Sequence, residues 1–129
     1  MANGTIAFDT LQTSGQITGT AKSLDTDYVV NGSAKHFVHF NGTGTISIYT
    51  GALNTSSISD GGTGNTTVTM SSNLSSADGN AIVAGTDGNQ IKVRTSVNTT
   101  STYVVLTQDS SGSAEDRDDN SGVRYGDLA

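Results

Sequence analysis

The sequence contains no cysteine, no proline and no tryptophan, and aromatic residues make up only 5% of the chain. Without cysteine, a disulfide framework and a zinc site built on thiolates are both excluded. Without proline, the chain lacks one common device that protects edge strands, so neighbouring subunits are expected to cover its edges. No stretch approaches the ~20 apolar residues of a membrane-spanning helix, and MANGTIAFDT has neither a basic start nor an apolar signal core. Neither membrane insertion nor export is therefore expected.

Positive charge is also scarce. The chain has 6 Lys and Arg residues against 12 Asp and Glu residues, which gives a net charge of −6 at pH 7. Such a surface would repel a polyanion, and this argues against nucleic-acid binding. The acids are unevenly spread, because the stretch from Asp109 to Asp127 accounts for −4 of the total. This stretch predicts an extended acidic C-terminal arm over residues 109–129.

Thr, Ser, Asn and Gly fill the whole length, and clusters of β-branched residues recur between them. This pattern favours many short strands over helix or disorder. Hydrophobic residues amount to 33%, which is enough for a thin core that oligomerisation would support. The bulky residues expected to form this core are Ile6, Phe8, Phe37, Val38, Phe40, Ile46, Ile48, Val68, Met70, Ile82, Ile91, Val93, Tyr103, Val105 and Leu106.

The clearest strand signal lies in residues 34–40, AKHFVHF. Period-two alternation places Phe37 and His39 on one face and His36, Val38 and Phe40 on the other, mainly apolar face. The Asn-Gly pair that follows is typical of a tight hairpin, and the alternation resumes in GTISIYT. Residues 34–50 are therefore predicted to form a β-hairpin.

Other short strands are predicted at intervals of about 8 to 12 residues, which is typical of a sandwich. They are residues 5–8, 16–20, 28–30, 55–59, 66–70, 80–86, 90–96 and 102–108. Turn-forming Asp, Gly and Asn residues separate them at 60–65, 78–80 and 87–89. The fold class predicted is all-β: a small antiparallel, jelly-roll-like β-sandwich with the C-terminal arm.

Two consecutive motifs, AKHFVHFNGTGTISIYT and SSISDGGTGNTTVTMSSNLSSADGNAIVAG, resemble a repeat unit of bacteriophage tail-fibre and virion-surface proteins, especially those of marine phages. The resemblance covers roughly residues 1–108 and concerns architectural positions. These are Phe37 and Phe40, Asn41 to Thr45, Ser57 and Ile58, Asp60 to Gly64, and Val68. The chain departs from the pattern where family members commonly have Trp at the place of Phe37 and Pro before the place of Asp78.

The resemblance implies a phage structural protein without catalysis or cofactor: a short fibre, a knob or a capsid decoration. Such a protein is made in the host cytoplasm and sits on the virion surface, as a homo-oligomer, a trimer by analogy, bound to other capsid or tail proteins. The resemblance does not extend to the tail after Asp109. Together with the charge pattern it predicts N-terminal strands and an anchoring segment in residues 1–33, the sandwich core in residues 34–108 and the arm in residues 109–129. The alternative is a receptor-binding fibre tip that contacts a host glycan through polar loops and Tyr28, Tyr49 or Tyr103.

The two histidines, His36 and His39, are the natural start for a catalytic or metal-binding hypothesis. At i and i+3 on a strand they leave from opposite faces and cannot chelate one metal without a bend. They are expected to be exposed or at an interface, and coordination around a trimer axis by one histidine per subunit is the alternative.

The acidic segment offers two further hypotheses. Asp116, Asp118, Asn120 and Asp127 loosely imitate a calcium-binding loop, a weak metal candidate because the closing Glu and the correctly placed Gly are missing. The second hypothesis is a subunit contact, in which acids of the arm meet cations on a strand of a neighbour. The residues concerned are Asp116, Asp118 and Asp119 on the arm, and Lys92 and Arg94 on the strand.

Overall fold

The computed structural model describes residues 32–77, 81–85, 90–93 and 97–129. The elements within these residues are all strands. They are β1 (His36–Asn41), β2 (Ser47–Ile48), β3 (Thr55–Asp60), β4 (Asn65–Met70), β5 (Ala81–Gly85), β6 (Gln90–Val93), β7 (Thr102–Gln108) and β8 (Asn120–Arg124). In this described part of the chain, no helix is long and apolar enough to cross a membrane.

The strands form two antiparallel sheets of four strands each. Sheet A has the order β2-β1-β8-β5, and sheet B has the order β3-β4-β7-β6. The predicted all-β sandwich is confirmed, and every strand predicted between residues 55 and 108 is found near its expected position. The strands predicted at 5–8, 16–20 and 28–30 and the turns at 78–80 and 87–89 lie outside the described residues.

The hairpin predicted over residues 34–50 is present, because β1 and β2 pair through Phe40 and Ile48. Its loop is longer than the tight turn expected. The left-handed backbone belongs to Gly44, with φ of 59°, rather than to Gly42. Gly42 serves a different purpose: its N–H donates to the Arg117 carbonyl oxygen at 2.8 Å, and a Cβ at this position would lie 2.7 Å from that oxygen. The loop therefore needs Gly42 for a close approach to the segment before β8.

The core lies between the inner faces of β1, β4 and β7. Its fully buried members are Val38, Phe40, Val68, Tyr103 and Val105. The alternation predicted in β1 is confirmed, since His36, Val38 and Phe40 are buried while Phe37 is exposed and His39 is half-buried. Two residues expected in the core, Phe37 and Ile82, are instead exposed, because their strands turn these side chains to the outer face of sheet A.

The segment expected to form a separate C-terminal arm is the main difference from the prediction. It supplies β8, which lies in the middle of sheet A and pairs with β1 on one side and β5 on the other. Its polar composition indicated an arm, yet Asn120, Gly122 and Arg124 alternate toward the interior and are buried. Backbone hydrogen bonds to two neighbouring strands, more than apolar side chains, incorporate this segment in the domain.

Candidate functional site

The outer face of sheet A carries a row of apolar side chains. Residues that are directly opposite on antiparallel strands share one face, and Phe37 is opposite Val123, which is opposite Ile82. On the other side of Phe37, Leu53 exchanges two backbone hydrogen bonds with it, at 2.9 and 3.1 Å. We call Leu53, Phe37, Val123 and Ile82 the apolar row. Relative exposures of 45% for Leu53, 38% for Phe37 and 58% for Ile82 show that the described residues leave this row open.

The outer face of sheet B, along β3, β4 and β7, has a different chemistry. The pairs Ser57 with Thr69 and Ser59 with Thr67 place hydroxyl groups there. On β7 the same face continues with Thr102 and with Val104, which is buried. Hydroxyl groups are well solvated, whereas an exposed contiguous apolar surface commonly marks a place of contact. The two faces of the sandwich are therefore not equivalent.

A polar cluster borders the apolar row. His39, two residues after Phe37 on the same face, is hydrogen-bonded through its Nε2 to Asp119 Oδ1. The ring of Tyr49 lies against the His39 ring with centroids 4.6 Å apart, and its hydroxyl donates to the Asp118 carbonyl oxygen at 3.2 Å. We call His39, Tyr49 and Asp119 the His39 cluster. It combines an aromatic face with hydrogen-bonding groups at a half-exposed surface, which is suited to binding a polar ligand.

The second histidine is in a different environment, in the interior at the start of β1. His36 is fully buried, its Nε2 lies 3.0 Å from the Thr55 hydroxyl, and its ring meets the Tyr103 ring edge-on at 5.4 Å. Burial and the nearby Arg124 guanidinium lower the pKa of His36 to about 4. The expectation that both histidines are exposed or at an interface is therefore wrong for His36, which lies in the interior of its own chain, while their placement on opposite faces is confirmed.

Arg124 and Tyr103 complete this interior group. The Arg124 guanidinium lies 5.8 Å from the centroid of the Tyr103 ring and donates to the Thr99 carbonyl oxygen at 3.0 Å. Burial raises the pKa of Tyr103, whose ring reaches across the sandwich to Gly122. These contacts join β1, β7 and β8, so the group stabilises the sandwich. The polar, acidic composition of residues 109–129 predicted an arm, so it gave no indication that Arg124 would be buried.

The weak calcium candidates are not brought together. Asp116 accepts a hydrogen bond from the Gly64 N–H at 2.6 Å, and Asn120 is buried and donates from Nδ2 to the Arg117 carbonyl oxygen at 2.6 Å. Asp127 lies beyond the opposite end of β8, where its carbonyl oxygen accepts from the Ser75 N–H. Asp118 stays in the loop before β8. Because a strand runs between the candidates, the loop that calcium requires does not form, and the described residues hold no group of three or more His, Cys, Asp or Glu suited to a metal.

The residues expected to contact another subunit also have defined positions. Lys92 is exposed on β6, and Arg94 lies outside the described residues. The acids that were assigned to a free arm contact their own chain instead, since Asp116 accepts from Gly64 and Asp119 pairs with His39. A contact between Lys92 and the acids of a neighbour stays a prediction.

Several of the positions that resemble phage fibre domains lie in the core or in the turns of the sandwich. Phe40 and Val68 are core residues, and Asn41 Oδ1 accepts from the Thr43 N–H at 2.8 Å in the first loop. In the turn between β3 and β4, Asp60 Oδ1 accepts from the Gly62 N–H at 2.7 Å. Comparison with known proteins adds no relative: no protein-family model matches the chain, and neither a curated protein nor a solved structure does.

Proposed function

We propose that the chain is a structural protein of a bacteriophage virion: a small oligomeric β-domain on the particle surface that forms a short fibre, a knob or a capsid decoration and catalyses no reaction. One observation carries this proposal. The two motifs that resemble phage fibre domains coincide with strands β1 to β5 of the sandwich and the turns between them.

The loop between β1 and β2, which belongs to the first motif, is joined to the rest of the domain by hydrogen bonds. Gly42 approaches the Arg117 carbonyl oxygen, and the Asn120 side chain donates to that same oxygen, so the loop is fastened to the chain before β8. The turn between β3 and β4 is joined to the domain in a similar way. The Gly64 N–H donates to the Asp116 carboxylate, and the Gly64 carbonyl oxygen accepts from the Thr107 N–H at 2.9 Å. Turns whose polar groups are used internally suit a rigid building block. The open apolar row adds a surface through which such a block can be assembled.

The direct test is to find the chain in particles. Mass spectrometry of virions purified from the phage that encodes it should detect the chain, at a copy number that also gives its location. Hundreds of copies would indicate capsid decoration, and a few would indicate a fibre or knob. A chain that is expressed during infection but is missing from purified particles would contradict the proposal.

The second candidate, a receptor-binding domain for a host glycan, is favoured by the His39 cluster. Of the tyrosines first considered for this role, Tyr28 lies outside the described residues and Tyr103 is fully buried, so Tyr103 cannot contact a glycan. Tyr49 is exposed beside His39 and Asp119, where a ring face and hydrogen-bonding groups occur together. This is the combination that sugar binding requires.

A glycan array with the full chain tests this candidate. If a glycan binds, Tyr49→Ala should remove the binding because the ring face is lost. Tyr125→Ala is the matched control, since Tyr125 is similarly exposed but lies beyond the far end of β8. Equal loss in both variants, or no glycan bound by the wild type, would count against a glycan site at Tyr49.

A further inference from the structure

We infer that His36 makes the C-terminal end of the chain an acid-sensitive strap: in acid, the residues after β8 leave the body of the sandwich while the rest of the fold stays closed. We call residues 125–129 the C-terminal strap. This device goes beyond the proposed function and does not depend on it. Three features carry it: the hydrogen bonds of the enclosed His36 ring, the charges that face this ring, and the small number of bonds described for the strap.

The hydrogen bonds around His36 accommodate only the neutral ring. The Thr55 hydroxyl donates its single proton to a carbonyl oxygen, that of Phe37 at 3.0 Å or that of Leu53 at 3.2 Å. It therefore accepts a hydrogen bond from His36 Nε2, which lies 3.0 Å away, and the neutral ring carries its proton on Nε2. His36 Nδ1 is buried without a hydrogen-bond partner. A second proton on Nδ1 would create a buried, charged donor without an acceptor, which is strongly unfavourable.

The groups that face His36 from the described strands are neutral or cationic. From β8, Arg124 is directly opposite His36 and carries a guanidinium cation. From β7, Tyr103 meets the His36 ring edge-on, and burial raises the pKa of Tyr103, so its hydroxyl is neutral. From β3 comes the uncharged Thr55, and from β4 comes Met70, whose sulfur atom accepts from Arg124. Protonation of His36 therefore places two cations next to each other in the interior.

The C-terminal strap is the part of this region that opens most easily. It follows β8 directly and lies along residues 73–75. The Ser75 N–H donates to the Asp127 carbonyl oxygen at 2.8 Å, and the Ala129 N–H donates to the Asn73 carbonyl oxygen at 2.9 Å. Leu128, between these two bonds, is exposed. A chain end held in this way opens locally at a much lower free energy than a central strand does.

Arg124 connects the C-terminal strap to His36. Its carbonyl oxygen accepts from the Lys35 N–H at 2.9 Å, and its guanidinium donates to the Thr99 carbonyl oxygen at 3.0 Å, so β8 ends where His36 is enclosed. When the strap leaves and the last residue of β8 leaves with it, the guanidinium moves away from His36 and water reaches Nδ1. The open form therefore accepts a second ring proton, whereas the closed form resists it.

The direction and size of the response follow from this difference. Burial and the Arg124 guanidinium lower the pKa of His36 to about 4 in the closed form, whereas a hydrated histidine has a pKa of 6.5. A pKa that is lower in the closed form favours this form at neutral pH and favours opening as the pH falls. By linkage, the equilibrium constant for opening should rise roughly 100-fold between pH 7 and pH 4.

Amide hydrogen exchange of the full chain, followed by NMR between pH 7 and pH 4, tests the inference. Protection factors are corrected for the intrinsic exchange rate at each pH. The Ser75 N–H, bonded to the strap, and the Lys35 N–H, bonded to Arg124, report local opening. The Thr107 N–H, which donates to the Gly64 carbonyl oxygen at the other end of the sandwich, reports the body of the domain. We expect the protection of Ser75 and Lys35 to fall by up to roughly 100-fold and that of Thr107 to change much less.

Two matched variants identify the group that titrates. His36→Gln cannot gain a charge, so the protection of Ser75 should change only a few-fold over the same pH range. His39→Gln removes the other histidine, on the outer face of sheet A, and should behave as the wild type. Thermal unfolding at pH 7 checks that both variants fold. If His36→Gln does not fold, the wild type still decides the matter, because the His36 ring signals should titrate in parallel with the loss of protection at Ser75.

Three results would overturn the inference. The first is a protection factor of Ser75 that does not change between pH 7 and pH 4, which means that the strap stays closed. The second is an equal loss of protection at Ser75 and Thr107, which means that the whole domain opens. The third is a loss at Ser75 that persists in His36→Gln or that does not follow the titration of His36. Detection of the chain in virions is independent of all three, so the strap and the proposed function can fail separately.

Discussion

Gly122, in the middle of β8, gives the sharpest test of how the two sheets fit together. Its Cα faces Tyr103 from the opposite sheet, and an added Cβ would overlap the Tyr103 hydroxyl and lie 3.0 Å from the ring carbon that bears it. In an open strand position, Gly→Ala stabilises a protein by about 0.4 to 1 kcal/mol because the unfolded chain loses freedom. Overpacking a filled core costs about 1 to 3 kcal/mol. The overlap is with a buried ring that cannot easily move, so the overpacking cost should dominate.

We therefore expect Gly122→Ala to lower the free energy of unfolding by about 2 kcal/mol. The matched control is Gly85→Ala on the neighbouring strand β5, where an added Cβ would meet its nearest neighbours at an ordinary 3.6 Å. This control should be neutral or slightly stabilising. Urea unfolding followed by circular dichroism measures both, and an unchanged m-value would show that the unfolded state is comparable.

A double mutant then identifies the cause. The Tyr103 hydroxyl is buried without a hydrogen-bond partner in the described residues, so Tyr103→Phe should cost little. Combined with Gly122→Ala, it should recover about 1 kcal/mol, because the atom that overlaps most is gone while the ring remains. If Gly122→Ala is as stable as Gly85→Ala, or if Tyr103→Phe recovers nothing, the packing described for this position is wrong.

Three further predictions concern stability. His36 is neutral in the fold because burial and the nearby Arg124 guanidinium lower its pKa from 6.5 to about 4. The stability linked to it is therefore complete above pH 6.5 and is lost as the pH falls toward 4, by roughly 3 kcal/mol. In His36→Gln, the free energy of unfolding should depend less on pH within this window. His39→Gln should keep the pH dependence that His36 causes. Phe40→Ala should cost about 3 to 5 kcal/mol in chemical unfolding and Phe37→Ala clearly less, because Phe40 is fully buried and Phe37 is not. Deletion of residues 120–129 should abolish cooperative unfolding and strand-type circular dichroism, because β8 is a central strand with neighbours on both sides.

Each of these predictions has a contrary result. A wild-type pH dependence that persists in His36→Gln would show that another group titrates. Equal losses for Phe40→Ala and Phe37→Ala would mean that the two faces of β1 are not distinguished as described. A chain without residues 120–129 that still unfolds cooperatively would return this segment to the role of a separate arm.

Much of the fold could be predicted because strand and turn signals are local. The alternation in residues 34–40 predicted which side chains of β1 share a face, and the turn chemistry of residues 60–65 predicted the β3–β4 connection. The candidate site was harder to predict. Its members Leu53, Val123 and Ile82 are separated widely along the chain, and their alignment depends on the strand register, which a single sequence does not provide.

By itself, then, the sequence determined the class of structure: short β-branched segments, turns of Gly, Asn and Asp between them, no disulfide, and a small core. The tertiary structure decided where the polar C-terminal residues go. β8 is held between β1 and β5 by backbone hydrogen bonds, which depend little on side-chain type, so composition could not distinguish it from an arm. Tertiary structure also decided that His36 and Arg124 are buried while Phe37 and Ile82 are exposed. A strand has two faces, and which one meets the core is settled by the sheet that packs against it.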